Sequence, residues 1–423
     1  MCYAEFASMI PVAGSAYTFT YTTVGEIVAW VIGWDLILEM LMAGSVVSKY
    51  WGVYLNQFFE LVGWNINTNI SIGSFDFDLA PIIIVAFFTT LLVLGTKIGA
   101  RVDGALTVLK IAIVAFIVVV GFFYVKAENF TPFIPPSEPA ASTDGSGLSA
   151  AMEQPLWQWA TGMSPSIYGV TGIISGAALV FFAFLGFDVV ATASEETINP
   201  KKNVPLGIGV GMGLIIVLYT LVAIVTTGMV SYKDLAKQKD PSLAVAFKMV
   251  GADWAAKIIS LGIIIGMATV VMVLLLGLTR VIFAMSRDGL LPRGLSHTGK
   301  RGTPVRLQII VGVVMALIAA CCNVGILSDM VNIGTLSAFT LVAISIPIMR
   351  KKRPDLERSF KIPGNPWVPI LIALANLWLM VNLSVLTWIR FVVWLIVGFA
   401  IYFGYGYRHA RLGTGELEVA KQE

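Results

Sequence analysis

Charge is what this chain has least of. Of its 423 residues, 13% are Asp, Glu, Lys or Arg and 57% are hydrophobic, whereas soluble domains carry ~25% charged residues. No water-soluble surface can be assembled from that mixture. Histidine is almost as scarce: His297 and His409 are the only two, and both fall in polar stretches outside the apolar runs. Cys2, Cys321 and Cys322 have neither metal-ligand spacing nor the spacing of a disulfide framework. A zinc site and a histidine-based triad are therefore not expected, and neither is a cofactor or a nucleic-acid partner. The first apolar stretch lacks a preceding basic region, so no cleavable signal is expected. The net charge of +3 matters less than where the charges lie.

What the chain has instead is long stretches without charge. Residues 168–187, 203–232, 258–279, 307–328, 330–349, 362–389 and 391–407 contain no Asp, Glu, Lys or Arg. A helix needs about 20 apolar residues to cross a bilayer. A series of such runs makes lipid the solvent. Ten spanning segments are expected, at about 25–48, 78–96, 105–125, 168–193, 205–230, 254–283, 306–323, 329–349, 367–385 and 388–407. Backbone groups in lipid must bond internally, so these runs predict helices; a barrel would show short alternating strands. The fold class is all-α integral membrane. With residues 1–24 placed inside, most of the 28 lysines and arginines fall on inward loops and the C-terminal tail, among them Arg350, Lys351, Lys352 and Arg353. That bias predicts a cytoplasmic C-terminus. Residues 127–167, with Pro132, Pro135, Pro136 and Pro139, read as an outer loop. Residues 233–248 read as one surface helix with Leu243, Val245 and Ala246 on its apolar face.

Few polar groups lie inside the spans, and such groups are costly. Lys110 stands alone in 105–125. It either snorkels to the inner interface or faces a polar cavity where it can gain and lose a proton. Asp35 and Glu39 lie four apart, on one helical face; they must face protein or water, either to bond a neighbouring helix or to serve transport. Phe181, Phe182, Ala183, Phe184, Leu185 and Gly186 run into Asp188. Glycine weakens a helix, so Gly186 marks either a break that exposes backbone carbonyls or a packing contact in an intact helix. The pairs Gly172/Gly176, Gly209/Gly213 and Gly262/Gly266 read as close helix contacts; the Gly207–213 run has no preceding strand and is a poor nucleotide loop. No cluster of nucleophile, base and metal ligand suggests an enzyme, and no repeated polar rings suggest a channel.

Together, several motifs make the chain recognisable. Phe-Phe-Ala-Phe-Leu-Gly-Phe-Asp at 181–188 is followed by Ala-Thr-Ala-Ser-Glu-Glu-Thr-Ile-Asn-Pro-Lys-Lys-Asn-Val-Pro at 191–205. Met-Ser-Arg-Asp-Gly-Leu-Leu-Pro stands at 285–292, Arg-Ser-Phe-Lys-Ile-Pro at 358–363 and Ile-Pro-Val-Ala-Gly-Ser-Ala-Tyr at 10–17. As a set, and over nearly the whole chain, these resemble the amino acid–polyamine–organocation superfamily in its cationic-amino-acid-transporter branch. The resemblance implies two inverted five-helix repeats followed by two extra helices, with family helices one and six broken around the substrate. It implies one transporter domain: 1–24 as the remnant of family helix two and a loop, 25–125 as the rest of the first repeat, 126–167 as the outer loop, 168–349 as the second repeat, and 350–423 as two extra helices and a tail. The carbonyls of Phe182, Ala183 and Leu185 would hold the substrate ammonium, with Phe184 and Gly186 beside them and Phe182 as an aromatic gate. Lys110 would couple transport to protons; Asp35, Glu39 and Asp188 would form a polar network. The chain opens at what resembles the end of family helix two, so a form truncated at its N-terminus is expected. The implied activity is uptake of an amino acid across the plasma membrane by alternating access, driven by protons. The alternative is a non-transporting relative, such as the assembly or sensor partner of another membrane protein.

Overall fold

We describe the protein from a computed structural model. It describes residues 1–9, 17, 20–21, 25–64, 66, 68–72, 75–95, 100–139, 152–163, 166–186, 190, 197–238, 240–299, 303–352, 354 and 358–410. Among these, six helices are long and apolar enough to cross a bilayer, and four shorter apolar helices accompany them. They coincide with the ten expected segments.

In chain order the helices are α1 (Cys2–Met9), α2 (Glu26–Val62), α3 (Leu79–Val93), α4 (Ala100–Phe122), α5 (Leu156–Thr161), α6 (Gly169–Val180), α7 (Pro200–Met229), α8 (Tyr232–Ala236), α9 (Leu243–Met249), α10 (Asp253–Arg287), α11 (Val305–Cys321), α12 (Val324–Lys352), α13 (Trp367–Val381) and α14 (Val385–Ile401). Their ends follow ordinary chemistry. Asp78 caps α3 by accepting from the Ala80 N–H, Ser384 caps α14 by accepting from Thr387, and Pro200 opens α7. Gly63, at φ 87°, ends α2. α14 continues through a single π turn, Tyr402–Gly406. Among the described residues, strands occur as two short antiparallel pairs, β1 (Asn69–Ile72) with β2 (Phe75–Asp78) and β3 (Glu138–Pro139) with β4 (Ser166–Ile167).

α2 is the hub. It has 37 residues, about 55 Å at 1.5 Å per residue, so it outruns a hydrocarbon core of ~30 Å. Most of it is buried, against α10, α12, α11 and α3. The polar tips of its side chains reach carbonyls on neighbouring helices: Trp34 Nε1 donates to Trp394 O at 2.9 Å, Trp51 Nε1 to Ile264 O at 3.1 Å, and Lys49 Nζ to Cys322 O at 2.6 Å. Away from water, such satisfied groups hold helices in register. By contrast, α4 and α7 expose most of their residues, the pattern of helices that face lipid.

Two sequence expectations change. Of the small-residue pairs, only Gly262 and Gly266 mark a close contact: Cβ atoms there would meet Ile113 and Lys110 of α4. Gly176, Gly209 and Gly213 have nothing within 4 Å among the described residues, because α6 and α7 turn those faces outward. The stretch 233–248 is also not one helix. It splits into α8 and α9, and the buried face of α9 is Ala244, Ala246 and Phe247, because α9 docks on α10.

Candidate functional site

α6 stops in the middle of an apolar run. Its α-helical bonding ends at Val180, a 3₁₀ turn spans Phe181–Phe184, Leu185 is extended, and Gly186 takes φ 117°. Only glycine adopts that φ without strain, so this residue fixes where the helix breaks. The backbone turns tightly through the break: Leu185 N–H donates to Phe182 O at 3.2 Å, and bonding resumes between Val190 N–H and Gly186 O at 3.4 Å. Of the two readings of Gly186, the broken helix is the one observed. Asp188 lies outside the described residues.

Neighbouring helices hold the two sides of the break. Tyr219 of α7 donates its hydroxyl to Ala183 O at 2.9 Å, and its ring lies 5.2 Å from that of Phe184. Asn332 of α12 donates Nδ2 to Leu179 O at 3.2 Å. Phe181 meets Phe339 of α12 edge-on at 5.7 Å, and Phe339 meets Tyr3 of α1 at 5.1 Å. The carbonyls of Phe182 and Ala183, expected to await a ligand, therefore each already accept one hydrogen bond. A carbonyl oxygen has two lone pairs, so each keeps one acceptor position.

Above the break lies a cavity of about 710 Å³. Leu179, Ser175 and Gly172 of α6 form one wall, Asp329 of α12 and Ser384 another, and Phe130, Phe133 and Tyr168 the mouth. Among the described residues no Lys, Arg or His lines it. The long connection between α4 and α6 builds the mouth. The Leu156 N–H donates to Leu383 O, the Val385 N–H to Gln154 O, and Lys233 pairs with Glu138 at 2.9 Å. That ion pair raises the Lys233 pKa, chiefly through the hydrogen bond to the carboxylate.

At the other end of α12, buried polar contacts join several elements. Glu5 of α1 is fully buried and receives Arg350 Nη2 at 2.6 Å, Arg350 Nε at 2.8 Å and the Ile362 N–H at 2.8 Å. Arg358 Nε lies 3.8 Å away. Tyr17 donates to Asp288 at 3.0 Å, and Tyr402 to Glu26 at 2.8 Å. Burial, with Asp288 second, pushes the Tyr17 phenol well up, so Tyr17 stays a donor. These contacts tie α1, α2, α10, α12 and α14 together at one end of the bundle.

Lys110 sits on α4, half-buried, with its stem across Gly266 of α10 at 3.4 Å from the position of an added Cβ. It is thus at a helix–helix contact, away from Phe181–Gly186 in the contacts described. Asp35 and Glu39 face protein, at 0% and 2% exposure. Ser337 of α12 stands beside Asp35, but no donor reaches either of its oxygens at hydrogen-bond geometry. Sequence reading missed Tyr219, Asn332 and the Glu5 clamp. Asn332 had a signal, as an amide in an apolar span. Tyr219 looked like any aromatic in lipid, and Glu5 and Arg350 are 345 positions apart.

Comparison with known proteins places the chain in a family. The family model for amino acid permeases matches residues 1–404. The chain belongs to the amino acid permease family. It is 40% identical over 420 residues to the branched-chain amino acid permease BcaP of Bacillus subtilis, covering 97% of this chain and 83% of that one. The methylthioribose transporter of the same organism is similar to the same extent, with the same coverage. Human cationic amino acid transporter 4 is 28% identical over 544 residues, covering 99% and 80% of the two chains. This permease is therefore an all-α, multi-pass membrane protein of amino acid transport and not an enzyme.

Proposed function

We propose that this permease carries an amino acid together with protons across the plasma membrane by alternating access, binding it at the break between Phe181 and Gly186. The observation that carries this reading is the break itself: unwound backbone in mid-span, beginning two residues beyond Leu179, the last residue of α6 that lines the cavity. Non-helical backbone at membrane depth is tolerated where it lines a cavity or is buried in protein, and it is a recurring way to hold a charged solute. The open acceptor positions at Phe182, Ala183 and Leu185 suit an ammonium group, with Phe182 as the gate. BcaP supports an apolar, branched side chain as the first candidate; the aromatic and aliphatic surroundings of the break suit it.

The cavity opens on the face of the long connection, and the face of Arg350 and Arg358 is clamped. With the basic face cytoplasmic, as the C-terminus then is, this arrangement is the outward-open state. Residues 25–125 and 168–349 are taken as the two repeats of one transporter domain. Lys110, held between α4 and α10, is the proton-exchanging group. Its protonation favours one packing of these helices over the other, which is how a proton would bias the cycle.

The test is uptake by the purified full chain in liposomes under an imposed proton gradient, with L-leucine, L-valine, L-arginine and methylthioribose offered in turn. Uptake of a branched-chain amino acid that rises with inward proton drive is expected. A Lys110→Ala variant should lose the pH dependence and at least about tenfold in rate, as for a general proton-transfer group. Unchanged uptake with an unchanged pH profile in that variant would refute the role of Lys110. Transport of methylthioribose in preference to any amino acid would refute the substrate class.

A further inference from the structure

Asn332 is fully buried at 0% exposure, on α12. It lies three residues beyond Asp329, which lines the cavity, and so one turn further along the same helical face. Its nitrogen must be the atom that faces Leu179, because a carbonyl can only accept. That leaves Oδ1 directed elsewhere, and among the described residues no donor reaches it. Buried amide oxygens almost always have a partner. An orphaned acceptor on the side chain that holds the Leu179 carbonyl, two residues before the broken stretch, points to a donor that arrives with the ligand. The break offers acceptor positions at Phe182, Ala183 and Leu185, and on two of these three carbonyls one position is already filled, by Leu185 N–H and by Tyr219. Asn332 adds an acceptor from a different helix. It would make binding report on the distance between α6 and α12, which a carrier must sense if loading is to change its packing.

We propose that Asn332 is a substrate-contacting residue whose Oδ1 accepts a hydrogen bond from the ammonium group of the bound amino acid, while its Nδ2 holds the Leu179 carbonyl. This rests on the transport reading above. The test is a ligand with and without that group: L-leucine and 4-methylpentanoate, competed for binding to the full-length protein in nanodiscs. The wild type should prefer L-leucine. Asn332→Leu removes the acceptor and should reduce that preference about tenfold, the worth of one hydrogen bond. Asn332→Asp keeps an acceptor oxygen but loses the amide N–H₂, and should retain the preference within about threefold. An unchanged preference in Asn332→Leu overturns the proposal, and so does an equal loss in both variants, which would mark Asn332 as a support for Leu179 only. A wild type that binds neither compound overturns the transport reading and this inference with it.

Discussion

Gly186 carries more of this account than any other residue. At φ 117°, and with nothing within 4 Å of an added Cβ among the described residues, the effect of a side chain there is one of backbone strain. Such strain costs about 1–3 kcal/mol. Gly186→Ala should therefore lower the thermal midpoint and reduce uptake by at least about tenfold. Gly176→Ala is the matched control. Gly176 is helical and equally uncrowded, so alanine should be neutral or stabilise by up to about 1 kcal/mol. Equal effects at both positions, read by thermal melts and uptake, would mean that the break has no special conformation to protect. At this scale the sequence was partly legible. A glycine within an aromatic run pointed to the break, because glycine's conformational freedom belongs to the residue itself. The roles of Tyr219 and Asn332 did not show, because each depends on which carbonyl the fold brings opposite. The acceptors already occupied at Phe182 and Ala183 could not be read for the same reason.

Between elements, the clamp at Glu5 joins α1 to α12 and to the loop beyond it, and Tyr3 and Phe339 extend the same contact to Phe181. The end that the proposal has open and the break where it places the substrate are thus packed through one aromatic row. Arg350→Ala leaves a fully buried carboxylate without its main partner, a loss of about 3 kcal/mol from the clamped state. The expected outcome is exposure of α1. Cys2 is buried at 7%. In a Cys321→Ser, Cys322→Ser background, a maleimide should label it at least about tenfold faster when Arg350 is removed. Labelling at the parent rate would show that the clamp does not hold that face shut. Element positions were the best-read part of the sequence, since charge-free length fixes a span wherever the backbone must bond to itself. Contacts between elements were not. Gly262 and Gly266 met α4, but Gly209 and Gly213 faced outward, and spacing alone does not separate a face toward a neighbour from a face toward lipid.

For the whole molecule, the cavity at one end and the Glu5 contacts at the other are, in the proposed function, one state of a two-state carrier. Moving such an equilibrium requires a ligand that binds the two states unequally, and the broken helix, contacted from α7 and α12 at once, is where that inequality would arise. The basic cluster gave the expected orientation, and the apolar runs gave the class of protein; the cavity could not be foreseen, because its lining comes from six separate stretches of the chain. The central claim is that the amino acid sits at Phe181–Gly186, and the most direct test is a high-resolution structure of the protein in lipid with L-leucine bound. The account predicts the ligand nitrogen within about 3 Å, hydrogen-bond distance, of the Phe182, Ala183 or Leu185 carbonyl. An amino acid bound only in the outer cavity, or a continuous α-helix running from Ile173 through Val190, would contradict it.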